Sequence, residues 1–218
     1  MKINILTTFA DFFTTPLQSS ILQRAQDKEL VEINLVDLRK FTDDQYRSTD
    51  DRPYGGGAGM VMKIEPIDRA LASLAQQKGQ TSQQIVLTSA KGQLFTQQTA
   101  QHYAQLKELT LICGHYQGVD ERVAQHLVDA EVRIGNYVLT GGEPASLVIV
   151  DSVTRLLPGV LGNQASLRAE SHGKPGQLGC PQYTRPANYR GWSVPQVLLS
   201  GDHAQIKAWK NQQRTNLS

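Results

Sequence analysis

The chain has 218 residues, 22 of them Lys or Arg and 20 Asp or Glu, giving a formal charge of +2. That length suits one large domain, or a core domain with a small appendage, burying roughly 70% of the unfolded surface, and the balanced charge excludes a global field as the basis of nucleic-acid binding, leaving only local patches. Cys113 and Cys180 lie outside any CxxC spacing and read as reduced thiols; without a signal peptide or an apolar run long enough for a bilayer, the chain reads as soluble and cytoplasmic, with no membrane partner.

In chain order, strand patterns fall at about residues 2–7, 30–37, 84–89, 109–113 and 131–139, with helical patterns near 17–28, 64–77, 96–106, 119–128 and 142–157. This alternation predicts an α/β fold with a parallel sheet. The runs Ile85-Val86-Leu87 and Leu109-Thr110-Leu111-Ile112 are apolar without alternation, as in strands covered on both faces, and mark the centre of the sheet. After Pro158-Gly159 the texture changes. Residues 159–191 are rich in Gly, Pro, Ser and Asn, and a helical segment from Ala204 to Gln213 follows. A connection this long is functional or disordered.

Three glycine-framed loops stand out. In Arg133-Ile134-Gly135-Asn136-Tyr137-Val138-Leu139-Thr140-Gly141-Gly142-Glu143, paired glycines separate an apolar strand from an apolar helix. Residues without Cβ permit positive φ and close approach of main chain to a ligand, and the following helix presents free N-terminal amides. The others are Cys113-Gly114-His115-Tyr116-Gln117-Gly118 and Asp51-Arg52-Pro53-Tyr54-Gly55-Gly56-Gly57-Ala58-Gly59-Met60. Ligands of open α/β sheets bind outside the carboxyl ends of strands, where Thr88-Ser89-Ala90, Cys113-Gly114 and Gly141-Gly142 all fall, so one pocket is expected between them.

Several motifs are excluded. Met60 breaks GxGxxG, Pro175 after Gly173-Lys174 removes the hydroxyl of a phosphate loop, and the five histidines fit no paired-ligand spacing, so no metal ligands are assigned.

Taken with Asp151-Ser152-Val153-Thr154-Arg155, Pro158-Gly159-Val160-Leu161-Gly162, Cys180-Pro181-Gln182-Tyr183-Thr184-Arg185-Pro186 and Pro195-Gln196-Val197-Leu198-Leu199-Ser200-Gly201, these loops make the chain resemble the bacterial tRNA (guanine-37-N1)-methyltransferase family, TrmD, of the SPOUT class, from Met1 to about Trp209. The resemblance implies a SPOUT-type trefoil-knotted parallel sheet with a short helical C-terminal region. The domains it implies are a methyltransferase domain over 1–160, a linker and active-site loop over 161–175, and a helical domain over 176–218 that is short relative to the family. It implies a homodimer that binds S-adenosyl-L-methionine and tRNA. The donor site would comprise Leu87, Thr88, Ser89, Ala90, Gly114, Tyr116, Gly118, Ile134, Gly135, Tyr137, Leu139, Gly141, Gly142 and Ala145.

At the acceptor, methylation of guanine N1 needs a base for its proton and a cation near O6, where negative charge develops. By resemblance these are Glu170 and Arg155, with Tyr116, Gln117, Arg155 and Arg185 contacting substrate. The chain departs from the family here: Glu170 stands for an aspartate, Gln117 for a glutamate, Gly179 for an acidic residue and Ala145 for a proline. Carboxylates that would attract magnesium are thereby missing, which leaves a magnesium requirement open. Arg39, Lys40, Arg47, Arg52, Arg185, Lys207, Lys210 and Arg214 are candidates for phosphate contacts. The expected activity is methyl transfer to N1 of guanosine 37 in tRNA. The alternatives are a paralogue with a different acceptor, a smaller one included, and a cofactor- or RNA-binding protein with impaired catalysis.

Overall fold

The computed structural model describes residues 1–162, 170–173 and 176–215, which fall into two units, Met1–Gly162 and Asn163–Ser218. The expected linker over 161–175 lies in part outside the described residues.

The first unit is built on a five-stranded, wholly parallel sheet of β1 (Lys2–Thr7), β2 (Glu32–Asp37), β5 (Gln83–Leu94), β6 (Glu108–Cys113) and β7 (Ala130–Arg133), in the order β2-β1-β6-β5-β7. The two apolar runs lie on β5 and β6, neighbours inside the sheet, as their lack of alternation predicts. The helices are α1 (Thr14–Leu17), α2 (Ser20–Asp27), α3 (Ile64–Ser73), α4 (Gln97–Tyr103) and α5 (Glu143–Thr154), and a short hairpin joins β3 (Asp50–Asp51) to β4 (Val61–Met62). Two apolar cores follow from the period-two alternation of the strands. Ile3, Ile5, Val86, Leu109 and Leu111 pack with α2, α4 and α5, while Leu6, Ile85, Leu87 and Ile112 pack with α3. The result is a three-layer α/β/α unit.

Four differences from the sequence expectation have physical causes. The strand expected to reach residue 139 stops at Arg133, where Arg133 Nε donates to Asn136 Oδ1 at 3.0 Å and the chain leaves the sheet. Val138 beyond it is 85% exposed, so the apolar run there is not core. Strand β5 runs past residue 89, because a bulge lets both Thr88 and Gln93 pair with Val132. The helix expected over 119–128 is a single π-helical turn, Val123–Leu127. The helix expected over 17–28 is split, with Ser20 at φ +50° where α2 begins.

The second unit contains a hairpin of β8 (Asn188–Tyr189) and β9 (Trp192–Ser193), then α6 (Gln196–Leu199) and α7 (His203–Gln212). The last matches the helical segment expected from residue 204. Asp202 caps it by accepting from the backbone N–H groups of Ala204 and Gln205 at 2.9 and 3.0 Å. Tyr183 packs on Trp209 with ring centroids 6.3 Å apart. Among the described residues no helix is long and apolar enough to cross a membrane.

Candidate functional site

Three neighbouring strands reach one level in register. Thr88 of β5 pairs with Cys113 on one side and Val132 on the other. The chain just beyond each of these residues turns around a common cavity of about 460 Å³, within the roughly 300–1,000 Å³ usual for small-molecule sites. Every residue expected to hold the methyl donor lines it: Leu87, Thr88, Ser89, Ala90, Gly114, Tyr116, Gly118, Ile134, Gly135, Tyr137, Leu139, Gly141, Gly142 and Ala145. Gln117 lines it as well.

The walls are held by main-chain contacts that side chains would prevent. Gly142 N–H donates to the Gly114 carbonyl at 2.6 Å, and His115 bridges Gly141. A Cβ on Gly142 would lie 2.0 Å from Thr88 Oγ1, 2.8 Å from Gly114 N and 2.9 Å from Cys113 Cα. Thr88 Oγ1 ties the wall further by donating to the Ile112 carbonyl at 3.1 Å and accepting from Gly114 N–H at 3.2 Å. The paired glycines therefore serve close approach alone. Positive φ, the other expected use, is absent at both: Gly142 has φ −81°, and Gly141 is outside the left-handed region.

Beneath this wall lies a buried carboxylate. Glu143, 3% exposed and first in α5, accepts from Thr7 Oγ1 at 2.8 Å through Oε1, while Oε2 stands 3.5 Å from His115 Nδ1. That separation is an ion-pair distance without hydrogen-bond geometry, and Nδ1 has no hydrogen-bond partner. The helix N-terminus offers Glu143 a favourable field. Behind it Cys113 is fully buried against Ser146 Oγ, 3.1 Å away, and burial pushes its thiol up. Both cysteines are free, as their spacing predicts. Tyr116, at φ +60°, has its phenol raised by burial first, then by the charge of Asp50 and a hydrogen bond to it.

On the rim, Lys91 bonds Glu121 and stands 3.8 Å from Glu131; the hydrogen bond to Glu121 chiefly holds its ammonium above the usual range. Sequence reading missed Lys91, Glu121 and Glu131 as lining residues. These depend on the bulge in β5 and on pairing across the sheet, which leave no mark in linear spacing.

The acceptor residues are distributed differently. Arg155 caps the C-terminal end of α5, ten residues beyond Ala145, the α5 residue that lines the cavity, so about 15 Å of helix rise separates their backbones. Glu170 lies in the second unit, where its carbonyl accepts from Gly173 N–H at 3.4 Å. Arg185, also in that unit, lines a groove of about 510 Å³ with Tyr183, Leu198 and Lys210. Gly179 N–H donates to Ser171 Oγ at 2.9 Å. Among the described residues no group of three or more His, Cys, Asp or Glu side chains is placed to hold a metal ion.

Three strand ends wall one cavity with their backbone, and the family expected from the sequence motifs is borne out by comparison with known proteins. The model of the tRNA (guanine-1)-methyltransferase TrmD family matches residues 1–217. The chain belongs to this family. It is 49% identical over 213 residues to a tRNA (guanine-N(1)-)-methyltransferase of Carboxydothermus hydrogenoformans, covering 98% of this chain and 82% of that protein. It is 50% identical over 213 residues to one of Bacillus cereus strain AH820, covering 98% and 86%. The parallel five-stranded sheet is the α/β architecture expected of this SPOUT-class family.

Proposed function

We propose that the chain is an S-adenosyl-L-methionine-dependent methyltransferase acting on N1 of guanosine 37 in tRNA, working in the cytoplasm as a homodimer with a trefoil-knotted methyl-donor site. The observation that carries this reading is the backbone-walled cavity at the aligned ends of β5, β6 and β7, in a chain of this family. The residues present fit the donor. Leu87, Ile134, Val138 and Leu139 with Tyr137 supply an apolar slot for a flat base, and the main chain at Gly114, Gly135 and Gly142 brings polar edges to it. Lys91, Glu121 and Glu131 on the rim offer both signs of charge to an amino-acid tail.

When bound, the donor supplies an electrophilic methyl group. The chain's own residues must then orient guanine, take the proton from N1 as the new N–C bond forms, and stabilise charge on O6. Glu170 is the proton acceptor in this scheme, Arg155 the cation beside O6, and Tyr116, Gln117 and Arg185 contact the nucleotide. The distance between Arg155 and the cavity of its own subunit supports the homodimer, each cavity receiving Arg155 from the other copy.

Transfer of labelled methyl to unmodified tRNA bearing guanosine 37 tests the proposal. No transfer despite measurable donor binding would overturn it. A second reading, a paralogue with another acceptor, is favoured by Glu170, Gln117 and Gly179 standing where the family carries other residues; transfer to a different RNA or a small acceptor alone would establish it.

A further inference from the structure

The β3–β4 hairpin carries a loop that the chemistry above does not use. Its tip holds Tyr54, 101% exposed, followed by Gly55, Gly56 and Gly57 at φ +85°, +80° and +122°, each with open space where a Cβ would be. A tyrosine without packing contributes nothing to a core, and the three glycines keep the surface beside its ring free of side chains. Arg52, two residues before it, is also exposed, and the Arg122 guanidinium interacts electrostatically with Tyr54.

The base of the same hairpin is fastened to the cavity loop. Gln117 N–H donates to the Met60 carbonyl, Met62 N–H to the Gly118 carbonyl and Asp120 N–H to the Met62 carbonyl, each at 3.0 Å. Asp50 meets the Tyr116 hydroxyl. Gly59, at φ +85°, lies directly under Gln117: a Cβ there would be 2.6 Å from Gln117 Cγ and 3.0 Å from Nε2. Displacement of the hairpin therefore displaces Gln117 and Tyr116 at the cavity.

We propose that Tyr54 and the bare glycine surface beside it form a stacking platform for an unpaired base of the RNA near the target guanine, and that Gly59 transmits its occupancy to Gln117. The inference rests on the proposed RNA substrate. Aromatic side chains with one free face and a neighbouring guanidinium are the usual means of holding single-stranded bases. Tyr54 contacts substrate in this scheme, and Gly59 is a positioning residue.

The test uses the full-length protein and an anticodon stem-loop RNA with 2-aminopurine beside guanosine 37. Stacking on Tyr54 quenches the probe, and Tyr54→Ala is expected to lose the quenching and weaken RNA binding by roughly 5- to 100-fold, the size of one base–aromatic contact. Affinity for S-adenosyl-L-methionine and the melting temperature stay unchanged, and Tyr54→Phe behaves as the wild type. Equal RNA affinity of Tyr54→Ala and the wild type overturns the platform, as does a Tyr54→Phe variant as weak as Tyr54→Ala. Gly59→Ala is expected to lower kcat about tenfold or more with RNA affinity retained, because misplaced catalytic geometry is costly in rate; an unchanged kcat removes the link to Gln117. A wild type that neither binds nor methylates the RNA would instead refute the functional proposal itself.

Discussion

The contact between Gly142 and the β5–β6 strand ends allows a quantitative test. In Gly142→Ala the new methyl meets Thr88 Oγ1 at 2.0 Å. Rotating Thr88 away breaks its bonds to the Ile112 carbonyl and Gly114 N–H, each worth about 0.5–1.5 kcal/mol. Backbone atoms at 2.8 and 2.9 Å remain after that rotation, so the strand ends must separate at an overpacking cost of about 1–3 kcal/mol. The sum is about 2–6 kcal/mol, equivalent to a fall in Tm of roughly 4–24 °C. Affinity for S-adenosyl-L-methionine should fall at least about tenfold, since both separating segments are cavity walls. Gly141→Ala is the control, because its methyl meets Glu143 Oε2 and His115 Nδ1, both at 2.3 Å. These are side-chain atoms rather than backbone, so the strand ends need not separate and the loss should be smaller than for Gly142→Ala. Differential scanning fluorimetry and titration calorimetry read both effects. A Gly142→Ala protein with wild-type Tm and affinity, or one no worse than Gly141→Ala, would refute the steric reasoning.

Replacing Glu170 by Ala should abolish methyl transfer while leaving donor affinity intact; a fully active variant would exclude it as the base. If Arg155 serves the other subunit, Arg155→Ala and Gly142→Ala proteins, each nearly inactive alone at a donor concentration too low to fill the Gly142→Ala cavity, should recover about a quarter of wild-type activity when mixed in equal amounts, because half the dimers hold one intact site of two. No recovery in a mixture proven to exchange subunits would place Arg155 elsewhere. Asp120 is held below the usual carboxylate range chiefly by the Arg122 side chain, 2.7 Å away. Its stabilising contribution is then fully present above about pH 4 and is lost as pH falls through the lower folded value. Asp120→Asn should cost under about 1 kcal/mol at neutral pH, with the difference in melting temperature vanishing in strong acid.

The cavity at the strand ends was legible in the sequence because close backbone approach is written in glycines, and glycine runs at strand ends are local. Gly114, Gly141 and Gly142 could be read from their neighbours alone. Their use was less legible. Gly142 adopts an ordinary helical conformation and needs its missing Cβ only because Thr88 and Gly114 come from other strands. The same holds for Tyr137, Val138 and Leu139, whose apolar character resembles a strand but lines a cavity after the sheet has ended.

The sequence by itself determined the order of elements, the burial of β5 and β6 and the three loops, since each depends on periodicity or residue type within a few positions. Tertiary structure alone decided that Thr88, Cys113 and Val132 lie in one row. It also brought buried Glu143 against His115, set the β3–β4 hairpin against Gln117, and left Arg155 at the end of α5 away from the cavity. These are distances between residues far apart in the chain, and only the register of a folded sheet and the rise of a helix specify them.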